Sequence, residues 1–405
     1  MPRFEPFNAI RYASDANWDE VIAPPYDVLS DDDVTELGNR SPHNITWIDV
    51  PRGGDDRYEI AAYLLHEWLD KGVLLHEQVP SFTIYRMDLT DASGTPRTIS
   101  GVLGGLEVVD EGAGGVLPHE RTTKKASTDR LDLTIATAAN LSPVWGLSLA
   151  KGLTAALAEP GEPIGELTTE GVTHRVERVT DPDRIAQIAK IIGSDDVLIA
   201  DGHHRYGVSR SYRDRVRKAT GREDSAAELT LTFVNELVDD QLSIEAIHRI
   251  YDGISFDQLA KDLSGSFTIE KMTEPLGPAT LAEMVRSDRL VLLDPKGEPS
   301  WLIPRPGAFD GVRALDGAWL EHALSGSDAQ VSYQHGLDEV LAELDSAGVG
   351  PLGKHAGAVL IRPTSLEEIE RTAREGLLMP PKSTFFSPKL RTGLVIRPTT
   401  KLPED

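Results

Sequence analysis

Five consecutive residues, Asp201-Gly202-His203-His204-Arg205, place a carboxylate, two imidazoles and a guanidinium around one glycine. They follow the apolar run Val197-Leu198-Ile199-Ala200 and open a segment with helical character. A strand that ends in Asp-Gly and turns into a helix brings backbone N–H groups and a positive dipole end to one spot. That arrangement suits a phosphate: Gly202 lets a backbone come close, the first-turn N–H groups face an oxygen, and Arg205 clamps it. Two other readings stay open. Asp201, His203 and His204 carry metal-ligating atoms, although neighbouring histidines on a helix point about 100° apart. Alternatively Asp201 is a helix cap and the histidines are polar surface. Downstream, Arg205, Arg210, Arg213, Arg215, Arg217 and Lys218 face one acid, Asp214, on a chain whose formal net charge is -24. Such a basic island on an acidic protein suits a small anion.

Further segments carry chemistry of the same kind. Pro24-Pro25-Tyr26-Asp27 is a rigid approach to a carboxylate, and Asp27 is a candidate general base or a water-mediated Mg²⁺ ligand. Glu120, Arg121 and Lys124 lie in a polar stretch, an acid/base candidate beside two cations that can offset charge on a transferring phosphoryl group. Lys382, Ser383 and Thr384, followed by Lys389 and Arg391, form a tract without acids that suits phosphate or carboxylate contacts. The catalytic candidates are therefore Asp27, Glu120, Asp201 and His204. The candidates for binding a cofactor's phosphates are Gly202, His203, Arg205, Arg121, Lys124, Lys382, Ser383 and Thr384.

The elements that must position them read as α+β (mixed α/β), because helices and strands alternate irregularly. Strands are expected at Asn44–Val50, Phe82–Leu89, Thr98–Val109, Val144–Leu149, Val172–Val179, Leu229–Leu237 and Thr392–Ile396. Helices are expected over Arg57–Lys71, Asp181–Ile192 and Thr364–Glu375, the last with a Thr364/Glu367 capping box. The chain has 405 residues, enough for more than one domain. A change of character at Gly253 divides it into 1–253, carrying the anion site, and 254–405, an α/β region whose tail over 379–396 returns to that site.

Composition excludes several classes. No cysteine means no disulfide, thiolate zinc site or cysteine nucleophile. The start of the chain has no signal pattern and no apolar run reaches bilayer length, so a cytoplasmic protein is expected. The acid excess disfavours nucleic acid and anionic lipid as partners. No Walker loop, dinucleotide fingerprint, nucleophile elbow or HExxH helix is present.

Two resemblances follow from these residues. Asp-Gly-His-His-Arg after a strand resembles the phosphate-binding motif of the superfamily that includes ParB, sulfiredoxin and the archaeal free serine kinases. There a glycine-to-arginine turn at a helix start holds nucleotide phosphates. Across nearly the whole chain, Ile22-Ala-Pro-Pro-Tyr-Asp-Val28, Leu117-Pro-His-Glu-Arg-Thr122, Ile199-Ala-Asp-Gly-His-His-Arg-Tyr206 and Pro381-Lys-Ser-Thr-Phe-Phe-Ser-Pro-Lys389 resemble the hallmark segments of domain of unknown function family 1015. The first resemblance implies a ParB/sulfiredoxin-like phosphate-binding core. It also implies a nucleotide-dependent phosphotransferase acting on a small hydroxyl-bearing metabolite, with Mg²⁺ and ATP or ADP. The competing functions are a nucleotide-binding switch without robust turnover, and a metal-dependent hydrolase on Asp201, His203 and His204.

Overall fold

In a computed structural model, which describes residues 1–91, 94–118, 127–346, 355–379 and 382–403, the chain divides into two units. The first comprises Met1–Leu242, Ala373–Leu377 and Pro388–Asp405, and the second Ser243–Thr372 and Leu378–Ser387. The sequence reading put a boundary at 253. The division falls earlier because Ser243–Glu245 pairs with Phe385–Ser387, and Ile247–Asp252 lies inside the second unit's sheet. The architecture is mixed α+β.

The first unit is built on a nine-stranded mixed sheet. Its central order runs Val116–Pro118, Val197–Asp201, Val144–Ser148, Leu229–Glu236, Pro96–Glu107, Phe82–Thr90, Val172–Val179 and Glu162–Thr169. Val197–Asp201 is parallel to Val116–Pro118 and antiparallel to Val144–Ser148. An interior strand covered on both faces reads as an unbroken apolar run, which is why Val197-Leu198-Ile199-Ala200 does not alternate. Val172–Val179 lies nearer the sheet margin and largely alternates buried with half-buried residues. The helix Pro182–Ile192 starts as its sequence dictates, with Asp181 accepting from the Arg184 N–H at 2.8 Å and proline in the first turn. Its Ile188 and Ile192 pack with Phe82, Val102, Val197 and Tyr206 in one core.

The second unit has a six-stranded antiparallel sheet in the order Phe267–Lys271, Pro299–Pro304, Leu290–Leu293, Gly357–Leu360, Ile247–Asp252 and Gln330–His335. Leu290 and Leu292 point into one hydrophobic cluster, and Val291 and Leu293 into another. Each face of this sheet is therefore covered, and the run Leu-Val-Leu-Leu is the signature of that double burial.

Three local expectations are corrected. Asn44–Val50 is not a strand: Thr46–Asp49 is helical, because the buried Asn44 accepts from the Thr46 N–H at 3.0 Å and donates to the Glu20 carbonyl at 2.7 Å. The late helix, Leu366–Arg374, is capped by Ser365, which accepts from the Glu368 N–H at 3.2 Å, whereas Thr364 donates to the Ser383 carbonyl. Thr392–Ile396 makes only isolated bridges, Ala23 to Thr392 and Ile10 to Ile396, before the short strand Arg397–Pro398.

Each unit contains a buried neutral histidine, and this fixes an acid response. Burial, then the nearby Arg391, lowers His174 to about 3. Burial, then Arg249 and His335, lowers His248 to about 4. Both folded values lie below the ordinary imidazole value near 6.5. Below that pH the unfolded chain takes up protons that the folded chain refuses, so stability is intact above 6.5 and is lost as pH falls. At pH 5 each histidine should cost about 2 kcal/mol. The urea midpoint is expected to drop between pH 6.5 and 5, with His174→Gln flattening the first unit's share. A flat midpoint across that window would refute it.

Candidate functional site

The strand Val197–Asp201 delivers a carboxylate to its end, and Gly202 turns the chain into the helix His203–Thr220. Gly202 has φ of +83, a left-handed conformation that glycine adopts without strain. A Cβ there would sit 3.0 Å from the Arg205 Nε and 3.3 Å from the Val144 Cα. Gly202 has no side chain to cap this helix start, which carries the positive dipole end and the first-turn N–H groups.

Asp201 lies between two cations. Its Oδ2 accepts from the Arg205 Nη2 at 2.8 Å and its Oδ1 from the Lys389 Nζ at 3.2 Å. Burial alone would raise its pKa, but Lys389 and then Arg205 hold it far below the usual carboxylate range. The buried Arg205 also donates to the Pro143 carbonyl and lies 3.6 Å from the Asp27 Oδ2. Arg205 is thus the centre of a charge network, not a freely projecting clamp. Asp27 sits on the short turn Tyr26–Val28, with its side chain 40% exposed. The preceding Pro24 and Pro25 fix its approach. The tail then fixes both, since Ala23 and Thr392 exchange backbone hydrogen bonds at 3.2 and 2.8 Å.

A second layer lies beneath. Arg130 stacks 4.4 Å from the Tyr26 ring centroid and pairs with the buried Asp49 at 3.6 Å. Asp49 accepts from the Ser142 hydroxyl at 3.1 Å, and Ser142 in turn meets Thr392 at 3.3 Å. Burial raises Asp49, against the pull of Arg130. Tyr26, Asp49, Arg130, Ser142 and Arg205 line a cavity of about 40 Å³, room for a bridging water. Further along the tail, Arg391 donates to the His174 Nε2 at 3.4 Å and to Glu170 at 2.6 Å. Because Nε2 accepts, the ring proton lies on Nδ1, which is 2.7 Å from the Tyr85 hydroxyl.

The structure gathers Asp27, Asp201, Gly202, Arg205 and Lys389, with His203 and His204 half-buried in the helix's first turn. It does not gather the downstream cations. Arg213 is buried against the Val108 carbonyl, Asp110 and Asp214, Arg217 pairs with Glu228 at 2.6 Å, and Arg210 meets Glu111 at 3.4 Å. Arg215 and Lys218 are exposed. A helix spreads such residues around its circumference, so the basic island anchors the helix rather than forming one anion site. Lys382, Ser383 and Thr384 belong to the second unit. Glu120, Arg121 and Lys124 lie outside the described residues. Among the described residues no three His, Asp or Glu side chains are grouped to hold a metal, which corrects the Asp201/His203/His204 metal reading. Asp201 is already engaged by two cations. No helix among them is long and apolar enough to cross a membrane.

Sequence reasoning missed Asp49, Arg130, Tyr85 and His174, none of which belongs to a motif. It marked Lys389 as part of a basic tract without finding its partner.

The chain belongs to the family described as protein of unknown function (DUF1015), whose model matches residues 4–318. The Pro381–Lys389 segment lies beyond that match. No curated protein matches the chain. Among solved structures, a free serine kinase variant in complex with AMP matches at 12% identity over 67% of this chain and 84% of its own, with a TM-score of 0.37. A conserved hypothetical protein from Pyrococcus furiosus matches at 14% identity, over 71% and 92%, with a TM-score of 0.37. C-terminally truncated SbnI from Staphylococcus aureus matches at 15% identity, over 71% and 84%, with a TM-score of 0.35. At these TM-scores the likenesses carry no argument about function.

Proposed function

We propose that this DUF1015 protein is a nucleotide-dependent phosphotransferase acting on a small hydroxyl-bearing metabolite. The observation that carries the reading is the uncapped start of the His203–Thr220 helix, set beside Lys389 and Asp27. A helix start that Gly202 leaves without a side-chain cap, with its positive dipole end, suits donor phosphates. His203 and His204 are the first two residues of that helix, and Lys389 would offset the charge that spreads over the phosphoryl oxygens. The role of one residue changes from the sequence reading. Asp201 is a poor proton acceptor, because a carboxylate held so far below its usual range has little affinity for a proton. Its work is to fix Lys389 and Arg205. Asp27 is the candidate acceptor for the hydroxyl proton. Mg²⁺ accompanying ATP or ADP would keep mostly phosphate and water ligands and neutralise charge, with Asp27 the carboxylate to hold it.

Calorimetry of the full chain with ADP and ATP, with and without Mg²⁺, tests the binding. Lys389→Ala is expected to weaken it by about 1.5–3 kcal/mol, the worth of a charged hydrogen bond. Absence of nucleotide binding, or an unchanged affinity in Lys389→Ala, would retire the assignment. Transfer is tested with labelled nucleotide and a panel of amino acids and sugars. Binding without turnover on any acceptor would move the reading to a nucleotide-responsive switch.

A further inference from the structure

The six-stranded sheet of the second unit has two outer strands, and only one of them is guarded against a further strand. Phe267–Lys271 ends in the exposed charges Glu270 and Lys271, which resist pairing with another chain. The long outer strand of the first unit's sheet, Glu162–Thr169, carries Glu162, Pro163 and Glu166, and its register slips between Pro163 and Gly165. Gln330–His335 has no such device. Its sequence, Gln-Val-Ser-Tyr-Gln-His, contains no acid, lysine, arginine or proline, and its register with Ile247–Asp252 is unbroken. Its first four residues are exposed, Val331 by 44% and Tyr333 by 39%.

We propose that Gln330–His335 pairs antiparallel with the same strand of a second copy of this chain, about a two-fold axis at Ser332. The backbone is set for it. The Tyr251 carbonyl accepts from the Ala356 N–H at 2.7 Å, on the side away from Val331. Tyr251 and Val331 are therefore a non-hydrogen-bonded pair, and Val331 turns its own N–H and C=O to the open side. The alternation carries Tyr333 and His335 the same way, and the His335 N–H indeed goes to the Gln334 side chain at 3.0 Å. Among the described residues, Gln330–His335 pairs with Ile247–Asp252 alone.

The side chains and the charge favour a copy of the chain over another partner. Val331 and Tyr333 stand on one face, opposite Tyr251 and Arg249. Tyr251 on that face packs in the cluster of Leu259 and Leu263, so the apolar face runs out to this open strand. About an axis at Ser332, Val331 of each copy lies opposite Tyr333 of the other, a β-branched residue across from an aromatic. The Arg249 guanidinium, 4.7 Å from the Tyr333 ring centroid, holds that ring in place. Two copies with a formal charge of -24 repel, and an uncharged strand is where they meet with least opposition. A basic partner would call for acids along the strand; a second copy calls for their absence. The charged outer strand across the sheet stops the pairing from continuing, so the assembly closes at two copies. One strand pair falls below the roughly 1,200 Å² of a stable interface, so a weak dimer is expected, with a dissociation constant of roughly micromolar order. The pairing does not depend on the phosphotransferase reading.

Sedimentation velocity on the full chain, from about 1 to 200 µM, tests the pairing. A reversible monomer–dimer equilibrium is expected, with hydrogen exchange slowing in peptides covering 330–335 as the dimer fills. Tyr333→Lys should raise the dissociation constant roughly tenfold or more, even though an added lysine eases the general repulsion between acidic copies. Val331→Pro should do the same, because it removes a donor on the open side and leaves the bonds to Ile247–Asp252 in place. Val285→Lys puts the same charge on another exposed residue, in the helix Pro278–Ser287, and should leave the dimer unchanged. A monomer at every concentration, a dimer that Tyr333→Lys and Val331→Pro both leave intact, one weakened as much by Val285→Lys, or oligomers that grow beyond two copies would overturn the proposal.

Discussion

Arg205→Leu is expected to destabilise the first unit by about 3–5 kcal/mol, the usual consequence of removing one member of a buried ion pair. Leucine restores much of the lost volume, so the deficit is electrostatic. Asp201 would keep only Lys389, and the Pro143 carbonyl would lose a donor inside the protein. The urea midpoint of the first unit reports the loss. A double-mutant cycle with Asp201→Asn should recover part of it, with a coupling of about 1–3 kcal/mol, because an amide needs less compensation than a buried anion. A loss under about 1 kcal/mol, the range of exposed pairs, would show that water already screens this network.

Asp27→Asn is expected to act on the chemistry and spare the fold. The side chain is 40% exposed and 3.6 Å from Arg205, so an isosteric amide should move the urea midpoint little. Phosphoryl transfer should fall by roughly 10²–10⁴-fold, as when a positioned base is removed. Single-turnover assays separate its two candidate jobs. A slower rate at unchanged nucleotide affinity marks a proton acceptor. A rate and a Mg²⁺-dependent affinity that fall together mark a metal holder. A transfer rate equal to that of the unaltered protein would remove Asp27 from the mechanism.

How much of this could be read from the chain alone depended on how local each signal is. Asp201 to Arg205 was legible because a strand, a glycine and a helix start are written in consecutive residues. Pro24 to Asp27 was legible for the same reason. The arginines after Arg205 misled because charge counting ignores direction: on a helix they face different neighbours, and Arg213 and Arg217 turn to acids of the protein itself. Asn44 to Val50 misled because β-branched composition outweighed one asparagine whose side chain caps a turn. The Tyr85–His174–Arg391 cluster had no local signal at all. Its partners are 89 and 217 positions apart, and only the sheet register and the returning tail bring them together.

That returning tail sets an order of events during synthesis. Lys389 leaves the ribosome 188 residues after Asp201. At typical elongation rates the interval is roughly ten to forty seconds. Throughout it, the aspartate has Arg205 but not its ammonium, and the second unit is completed first. The part of the first unit made earlier must therefore wait, only partly neutralised at Asp201, until the segment from Pro388 onward has been made.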